Sequence, residues 1–393
     1  MSKFDTLSRS RTHAARMIPY GRQSVGEEDI QAVVDVLRSA WLTTGPKVGE
    51  FEKAVADYVG ARYGVAVNSG TAGLHCAMYA LGIGPGDEVI VPPMTFAATA
   101  NCVVYMGATP VFADVVRDTL LIDPVQVEKK ITARTKAVIG VDYAGQPCPW
   151  DHLRKIAEGN HLALVADGCH ALGAEYKEEK VGTLADMTVF SFHPVKHITT
   201  GEGGMVVTGN TELAEKIRLF RNHGIATDHQ QREAQGSWFY EMQDLGFNYR
   251  MTDFQCALGV SQLRKLSGWL ARRREIARKY DAACAGLSGI RPLSLRPDVN
   301  HAYHLYVVQI DVEIMKQDRG ALFLSLRKAG IGVNVHYIPV HLHPFYRKHL
   351  GTHPGLCPVA EAAYERIISL PIYPGMTDGD QDTVIDALRE TNE

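Results

Sequence analysis

The chain has 393 residues, 46% of them hydrophobic, enough for one large domain and a smaller one with a full core and no disulfide or metal staples. A formal net charge of −3 leaves no electrostatic footprint for nucleic acid, so any anionic partner has to be held by local groups. The seven cysteines, at positions 76, 102, 148, 169, 256, 284 and 357, are scattered with no C-x-x-C pair and an odd total, which argues for reduced thiols and a cytoplasmic setting.

Residues 1–17 carry basic side chains but no apolar h-region and read as a disordered extension; no later stretch reaches membrane-spanning length. After Tyr20, Gly26-Glu27-Glu28-Asp29 opens a predicted helix with Ile30, Val33, Val34 and Leu37 on one face and acids in its first turn. A turn at Thr43-Thr44-Gly45-Pro46 follows. Short apolar strands are then predicted at 63–67, 88–91, 109–113, 137–141, 162–166, 188–192 and 204–208, alternating with helical stretches, the pattern of a mostly parallel, helix-covered sheet. From about Phe254 a long helical pattern passes through Arg272-Arg273-Arg274, which reads as a solvated face before it reads as a phosphate grip. A loop around Pro292 and Pro297, a strand at 305–310 and a last helix from about Asp378 complete the chain. The expected division is a large α/β domain at 18–255 and a smaller α+β domain at 256–393.

The chemistry gathers around Lys196, in S-F-H-P-V-K-H-I-T-T-G-E-G-G at 191–204. Asp167 ends the apolar run 162–166 and so belongs at the carboxyl end of a buried strand, where open α/β sheets place their ligands. The run 187–192 delivers Lys196 to the same edge. A lysine and a carboxylate on one rim suit pyridoxal 5′-phosphate: the amine forms a Schiff base with the aldehyde, and the carboxylate keeps the pyridine nitrogen protonated so that the ring accepts electrons. Asn68-Ser69-Gly70-Thr71-Ala72-Gly73 follows a strand and opens a helix, an arrangement that binds a phosphate through free N–H groups; standing alone it reads first as an ordinary capped turn, and Asp167 and Lys196 beside it reverse that order. His193 and His197 flank the lysine without metal-ligand spacing, so no metal is expected.

Six segments together carry a resemblance over nearly all of the chain after residue 17: N-S-G-T-A-G-L (68–74), G-D-E-V-I-V-P-P-M-T-F-A-A-T-A-N (86–101), V-D-Y-A-G (141–145), A-D-G-C-H-A-L-G-A (166–174), the lysine segment, and V-H-Y-I-P (335–339). With them the chain resembles the DegT/DnrJ/EryC1/StrS sugar-nucleotide aminotransferases, within the fold-type I pyridoxal-phosphate enzymes. The resemblance implies that Gly70, Thr71 and Ser191 hold the cofactor phosphate, that Phe96 stacks on the pyridine ring, and that His170 stands near its phenolic oxygen. Asn248 would complete the phosphate site of a partner across a homodimer with shared active sites. Arg250 would receive the carboxylate of the donor, although a structural arginine is as good a reading. Tyr20, Trp41-Leu42-Thr43 and His336-Tyr337 would hold the sugar nucleotide, Trp41 departing from the polar residues usual at its position.

The implied reaction is ping-pong transamination with L-glutamate as donor, pyridoxamine phosphate as the intermediate form of the cofactor, and Lys196 as general acid and base. Within the family, V-D-Y-A-G, D-x-x-H-A-L-G and S-F-H-x-x-K-x-I-T-T look nearest to the pseudaminic acid pathway transaminase, which implies amination at C4 of a UDP-linked 4-keto-6-deoxy-N-acetylhexosamine. A dTDP-linked or C3-keto substrate, and a regulatory cofactor-binding homologue, remain alternatives. A dehydratase that replaces the cofactor lysine by histidine is disfavoured by Lys196 itself.

Overall fold

A computed structural model describes residues 17–227 and 236–391; of the extension expected at 1–17, all but Met17 lies outside the described residues. The central sheet contains β1 (Tyr63–Val67), β2 (Glu88–Val91), β3 (Thr109–Phe112), β4 (Thr135–Val141), β5 (Ala163–Asp167) and, after a short hairpin of β6 (Glu175–Tyr176) and β7 (Glu179–Lys180), β8 (Met187–Ser191) and β9 (Gly204–Thr208). Its order is β1-β9-β8-β5-β4-β2-β3. Strands β3, β2, β4, β5 and β8 are parallel, while β9 runs antiparallel to both β8 and β1. The carboxyl ends of β1, β2, β4, β5 and β8 therefore share one edge with the start of β9. The strands are near-continuous runs of Val, Ile and Ala, as a sheet covered on both faces requires.

Four helices set this edge: α1 (Glu27–Leu37), α2 (Pro46–Val59), α3 (Gly70–Ala80) and α4 (Ala98–Tyr105). Helix α3 is buried along nearly its whole length, so it is apolar all round rather than amphipathic. In α1 the buried positions are Asp29 and Val36, whereas Ile30 and Leu37, expected on the inner face, are 47% and 57% exposed. The helix is oriented by a polar anchor instead of its apolar stripe. Asp29 pairs with Lys265 at 2.8 Å and accepts hydrogen bonds from Ser261 at 2.6 Å and Gln262 at 2.7 Å. Burial opposes the charge of Asp29, but Lys265 and these bonds together hold its carboxyl below the ordinary pKa.

The helical pattern after Phe254 is two helices, Asp253–Leu263 and Leu266–Cys284. The second does not present Arg272–Arg274 as a solvated face. Arg273 is completely buried and donates to the carbonyls of Tyr303, His304 and Ile372 at 3.0, 3.4 and 3.0 Å. Arg272 reaches the Met376 carbonyl and Asp378, and Arg274 the carbonyls of His301 and Gly173. These carbonyls lie in loops without ladder partners, and a guanidinium with five donors satisfies several at once. A second hydrophobic cluster surrounds the sheet β10-β12-β13 (β10, Ile290–Pro292; β12, Tyr306–Ile310; β13, Ile367–Leu370), with β11 (Val299–Asn300) pairing instead with β6. Ile18 belongs to this cluster, and Tyr20 is tied to it by a bond from Ile372 N to the Tyr20 carbonyl at 3.0 Å. The last helix runs Asp378–Glu390 behind a Thr377 capping box.

Candidate active site

The shared strand edge opens into a cleft of about 930 Å³. Ten of the residues singled out from the sequence line it: Tyr20, Gly70, Thr71, Phe96, Asp167, His170, Ser191, Lys196, His336 and Tyr337. The first group of these comes from strand ends. Asp167 terminates β5, Ser191 terminates β8, and Ser69 caps α3 directly after β1 by accepting from Ala72 N at 3.0 Å. Two glycines allow the close approach. A Cβ on Gly70 would stand 3.0 Å from Ser191 Cβ, and one on Gly204 would stand 2.6 Å from the Ser69 backbone.

Asp167 is buried and held on both oxygens: Oδ2 accepts from Thr99 Oγ1 at 2.7 Å and Oδ1 from Cys169 N at 3.2 Å. Thr99 in turn bonds Thr95 Oγ1 at 2.7 Å. Since the Thr99 proton goes to the carboxylate, Thr95 donates to Thr99, and the chain of hydroxyls is polarised toward Asp167. Lys196 is half-buried, and desolvation lowers its pKa below the ordinary lysine value against the opposing pull of Cys169 and Asp167. Its Nζ lies 3.4 Å from His304 Nε2.

An aromatic wall faces this group. The Tyr337 hydroxyl contacts His170 Nε2 at 3.0 Å, the rings of Phe96 and Tyr337 are 6.1 Å apart, and those of Tyr20 and His336 are 5.4 Å apart. Tyr143 fixes the far side by donating to the His336 carbonyl, and His336 Nδ1 meets Ser369 Oγ at 2.8 Å. Burial first, and then the Lys196 charge, push the pKa values of His170 and His336 down, the latter to about 3. Both imidazoles are neutral at ordinary pH.

Five expected residues are not brought into the cleft by this chain alone. Trp41, Leu42 and Thr43 are exposed; Thr43 bridges Thr252, and the Leu42 carbonyl accepts from Asp253 N at 3.0 Å. Asn248 is exposed, with its carbonyl 3.3 Å from Asn68 Nδ2, and Arg250 donates to Asn222 Oδ1 at 2.8 Å. Conversely, Thr99, Cys169 and His304 belong to the site although they carried no role in the sequence reading. Thr95 and Thr99 had a usable signal, two hydroxyls at i and i+4 inside the quoted 86–101 segment. His304 had none, being brought from 108 residues away by the fold.

The residues fit pyridoxal phosphate. The gap at Gly70, the α3 N-terminus and the Ser191 hydroxyl suit the phosphate; Asp167 suits a protonated ring nitrogen, Lys196 the aldehyde. His170 lines the cleft, and its Nδ1 is buried without a partner among the described residues. Among the described residues no group of three or more His, Cys, Asp or Glu is placed to hold a metal.

Residues 23–389 match the profile of the DegT/DnrJ/EryC1/StrS aminotransferase family. The chain is 44% identical over 375 residues to the spore coat polysaccharide biosynthesis protein SpsC of Bacillus subtilis, covering 95% of this chain and 96% of that one. Among solved structures it is similar to Spr1654 of Streptococcus pneumoniae in its PMP form, named a sugar aminotransferase, with 36% identity, a TM-score of 0.90, and 95% and 99% of the two chains covered. It is also similar to PseC of Helicobacter pylori, an aminotransferase involved in the biosynthesis of pseudoaminic acid, with 34% identity, a TM-score of 0.89, and 96% and 99% covered.

Proposed function

Because the chain belongs to the DegT/DnrJ/EryC1/StrS aminotransferase family, whose cofactor is pyridoxal phosphate, we propose that it transfers an amino group from L-glutamate to C4 of a UDP-linked 4-keto-6-deoxy-N-acetylhexosamine. The product is a UDP-4-amino-4,6-dideoxy sugar of the kind used for pseudaminic acid. The observation that carries the reading is the single cleft that unites Lys196, Asp167 and the α3 N-terminus with an aromatic wall. The likeness to PseC supports the sugar; the carrier and the carbon rest on the sequence segments.

When bound, the cofactor supplies an aldehyde that carries the amino group and a ring that accepts electrons. The chain's part is to hold and move protons. Lys196 Nζ, its basicity reduced by desolvation, takes the proton from Cα of the donor, and in the return half-reaction delivers one to C4 of the sugar. Asp167, fixed by Thr99 and Cys169, would pair with the ring nitrogen. Gly70, Thr71 and Ser191 would hold the phosphate, Phe96 would cover the ring, and Tyr20, His336 and Tyr337, which also line the cleft, would exclude water on the sugar side.

A homodimer with shared sites accounts for the five residues that stand outside the cleft. Asn248 and Arg250 of one protomer, with Trp41, Leu42 and Thr43, would complete the cleft of its partner. Exposed Trp238, Met242 and Leu245, at 86%, 65% and 71%, lie in the stretch leading to Asn248 and are what such an interface would cover. The seven unpaired thiols support a cytoplasmic setting.

The test is to incubate the purified protein with L-glutamate and a panel of UDP- and dTDP-linked keto sugars and to identify the amino sugar formed. The expected product is the UDP-linked 4-amino sugar. Reaction of a dTDP-linked 3-keto sugar in its place would overturn the assignment.

A further inference from the structure

His304 meets the amine of Lys196 from the loop after β11, at the end of Asn300-His301-Ala302-Tyr303-His304. It is 4% exposed. Its ring packs 4.3 Å from that of His170 and 5.7 Å from that of His197, and its backbone carbonyl is held by Arg273. Its Nδ1 is buried without a partner among the described residues. The charged and titratable groups around the Lys196–His304 contact are Asp167, Cys169 and His170 after β5, His197 beside the lysine, Arg273 on the Leu266–Cys284 helix, and His336 and Tyr337 opposite. Lys196 and Arg273 are the cations that face the imidazole. Burial, reinforced by Lys196, His170, His197 and Arg273, keeps its pKa well below the ordinary histidine value.

A neutral acceptor at this place has a consequence that a carboxylate would not. A carboxylate against Nζ would hold the lysine protonated, and an apolar side chain would leave a four-carbon stem free to swing. The geometry assigns to His304 the role of positioning residue for Lys196: Nε2 accepts one N–H of the amine, the imidazole carries its own proton on Nδ1, and the rest of the amine faces the cleft. The inference rests on the aminotransferase reading, in which Lys196 stands free of the cofactor for part of each cycle and has to be aimed while it does.

The test reads the lysine directly. In the pyridoxamine-phosphate form and in the cofactor-free full-length chain, acylation of Lys196 by acetic anhydride is followed against pH by peptide mass spectrometry. His304→Leu removes an acceptor that favours the charged amine, so its midpoint is expected to fall by about one pH unit. His304→Gln keeps an acceptor and is expected to stay with the parent chain. In turnover His304→Leu should lower kcat about tenfold with little change in KM for the sugar. An unmoved midpoint in His304→Leu, or the same shift in both variants, overturns the assignment. Should the leucine variant fail to fold, ¹⁵N spectra of the histidine-labelled parent chain decide: a proton on Nδ1 supports the role, and a proton on Nε2 overturns it. A shifted midpoint in a protein that aminates no keto sugar would sink the proposed function and leave His304 standing; the reverse result would sink only His304.

Discussion

Around Lys196 many polar atoms are matched within the chain: Asp167 by Thr99 and Cys169, the His336 carbonyl by Tyr143, the carbonyls of Tyr303, His304 and Ile372 by Arg273, while His170 Nδ1, His304 Nδ1 and Arg273 Nε are buried without a partner among the described residues. Along the outer face of α1, through Trp41 and Leu42, and again from Trp238 to Phe247, large apolar side chains stand in solvent. The first region is held mainly by intramolecular bonds. The second is an exposed apolar surface, and Trp41 and Leu42, two of the five expected site residues outside the cleft, belong to it. In the homodimer proposed above, the first region would carry the chemistry and the second would complete the substrate site of a partner.

The largest blow to the first region is Lys196→Ala, expected to cut amino transfer by about a thousandfold or more, read as amino sugar formed, with loss of the lysine-linked cofactor absorbance. Residual turnover near that of the parent chain would remove the lysine from the mechanism. On the second region, Met242→Asp combined with Leu245→Asp is expected to abolish the dimer in sedimentation and to lower activity about a hundredfold, since charges buried in an interface are strongly penalised. A monomeric variant with full activity would show that the site is complete in one chain.

Thr99→Val sharpens the comparison from within. It leaves a buried carboxylate oxygen of Asp167 without its donor, at a cost of about 1–3 kcal/mol in stability by urea unfolding, and about tenfold in rate; Thr99→Ser restores both. The smallest effect concerns Asp142, at the end of β4. Burial raises its pKa to about 7, against bonds from Cys148 N and Trp150 Nε1, while in the unfolded chain it lies near 3.8. Between those values the folded chain binds the extra proton, so this group's contribution to stability is present in acid and is lost as pH rises toward 7. Asp142→Asn keeps the acceptor and should gain stability over the parent at pH 8 and little at pH 4, measured by urea unfolding.

The sheet was legible because its strands are short, apolar and punctuated by turns, and because Asp167 and Ser191 sit where such runs end. Lys196, Gly70 and Thr71 could be placed for the same reason, being adjacent in sequence to strand ends. The inner face of α1 was not legible, because Asp29 is drawn in by Lys265, Ser261 and Gln262, more than 230 residues away, and hydrophobic periodicity has no means of registering a distant ion pair. Arg273 escaped for a related reason: three successive arginines look solvated unless the carbonyls that they satisfy are known. His304 depends on the same long-range packing.

Arg273 also bears on how the protein could be re-engineered. One guanidinium binds the backbone at 303–304 and at Ile372, and Ile372 binds Tyr20, so three segments, two of them lining the cleft, are coupled through a single side chain. Changing the sugar accepted by altering one of these segments would disturb the other two and the contact at Lys196. Trp41, Leu42 and Thr43 lie outside that coupling, and if they line the partner's site as proposed, libraries aimed at a new substrate should begin there.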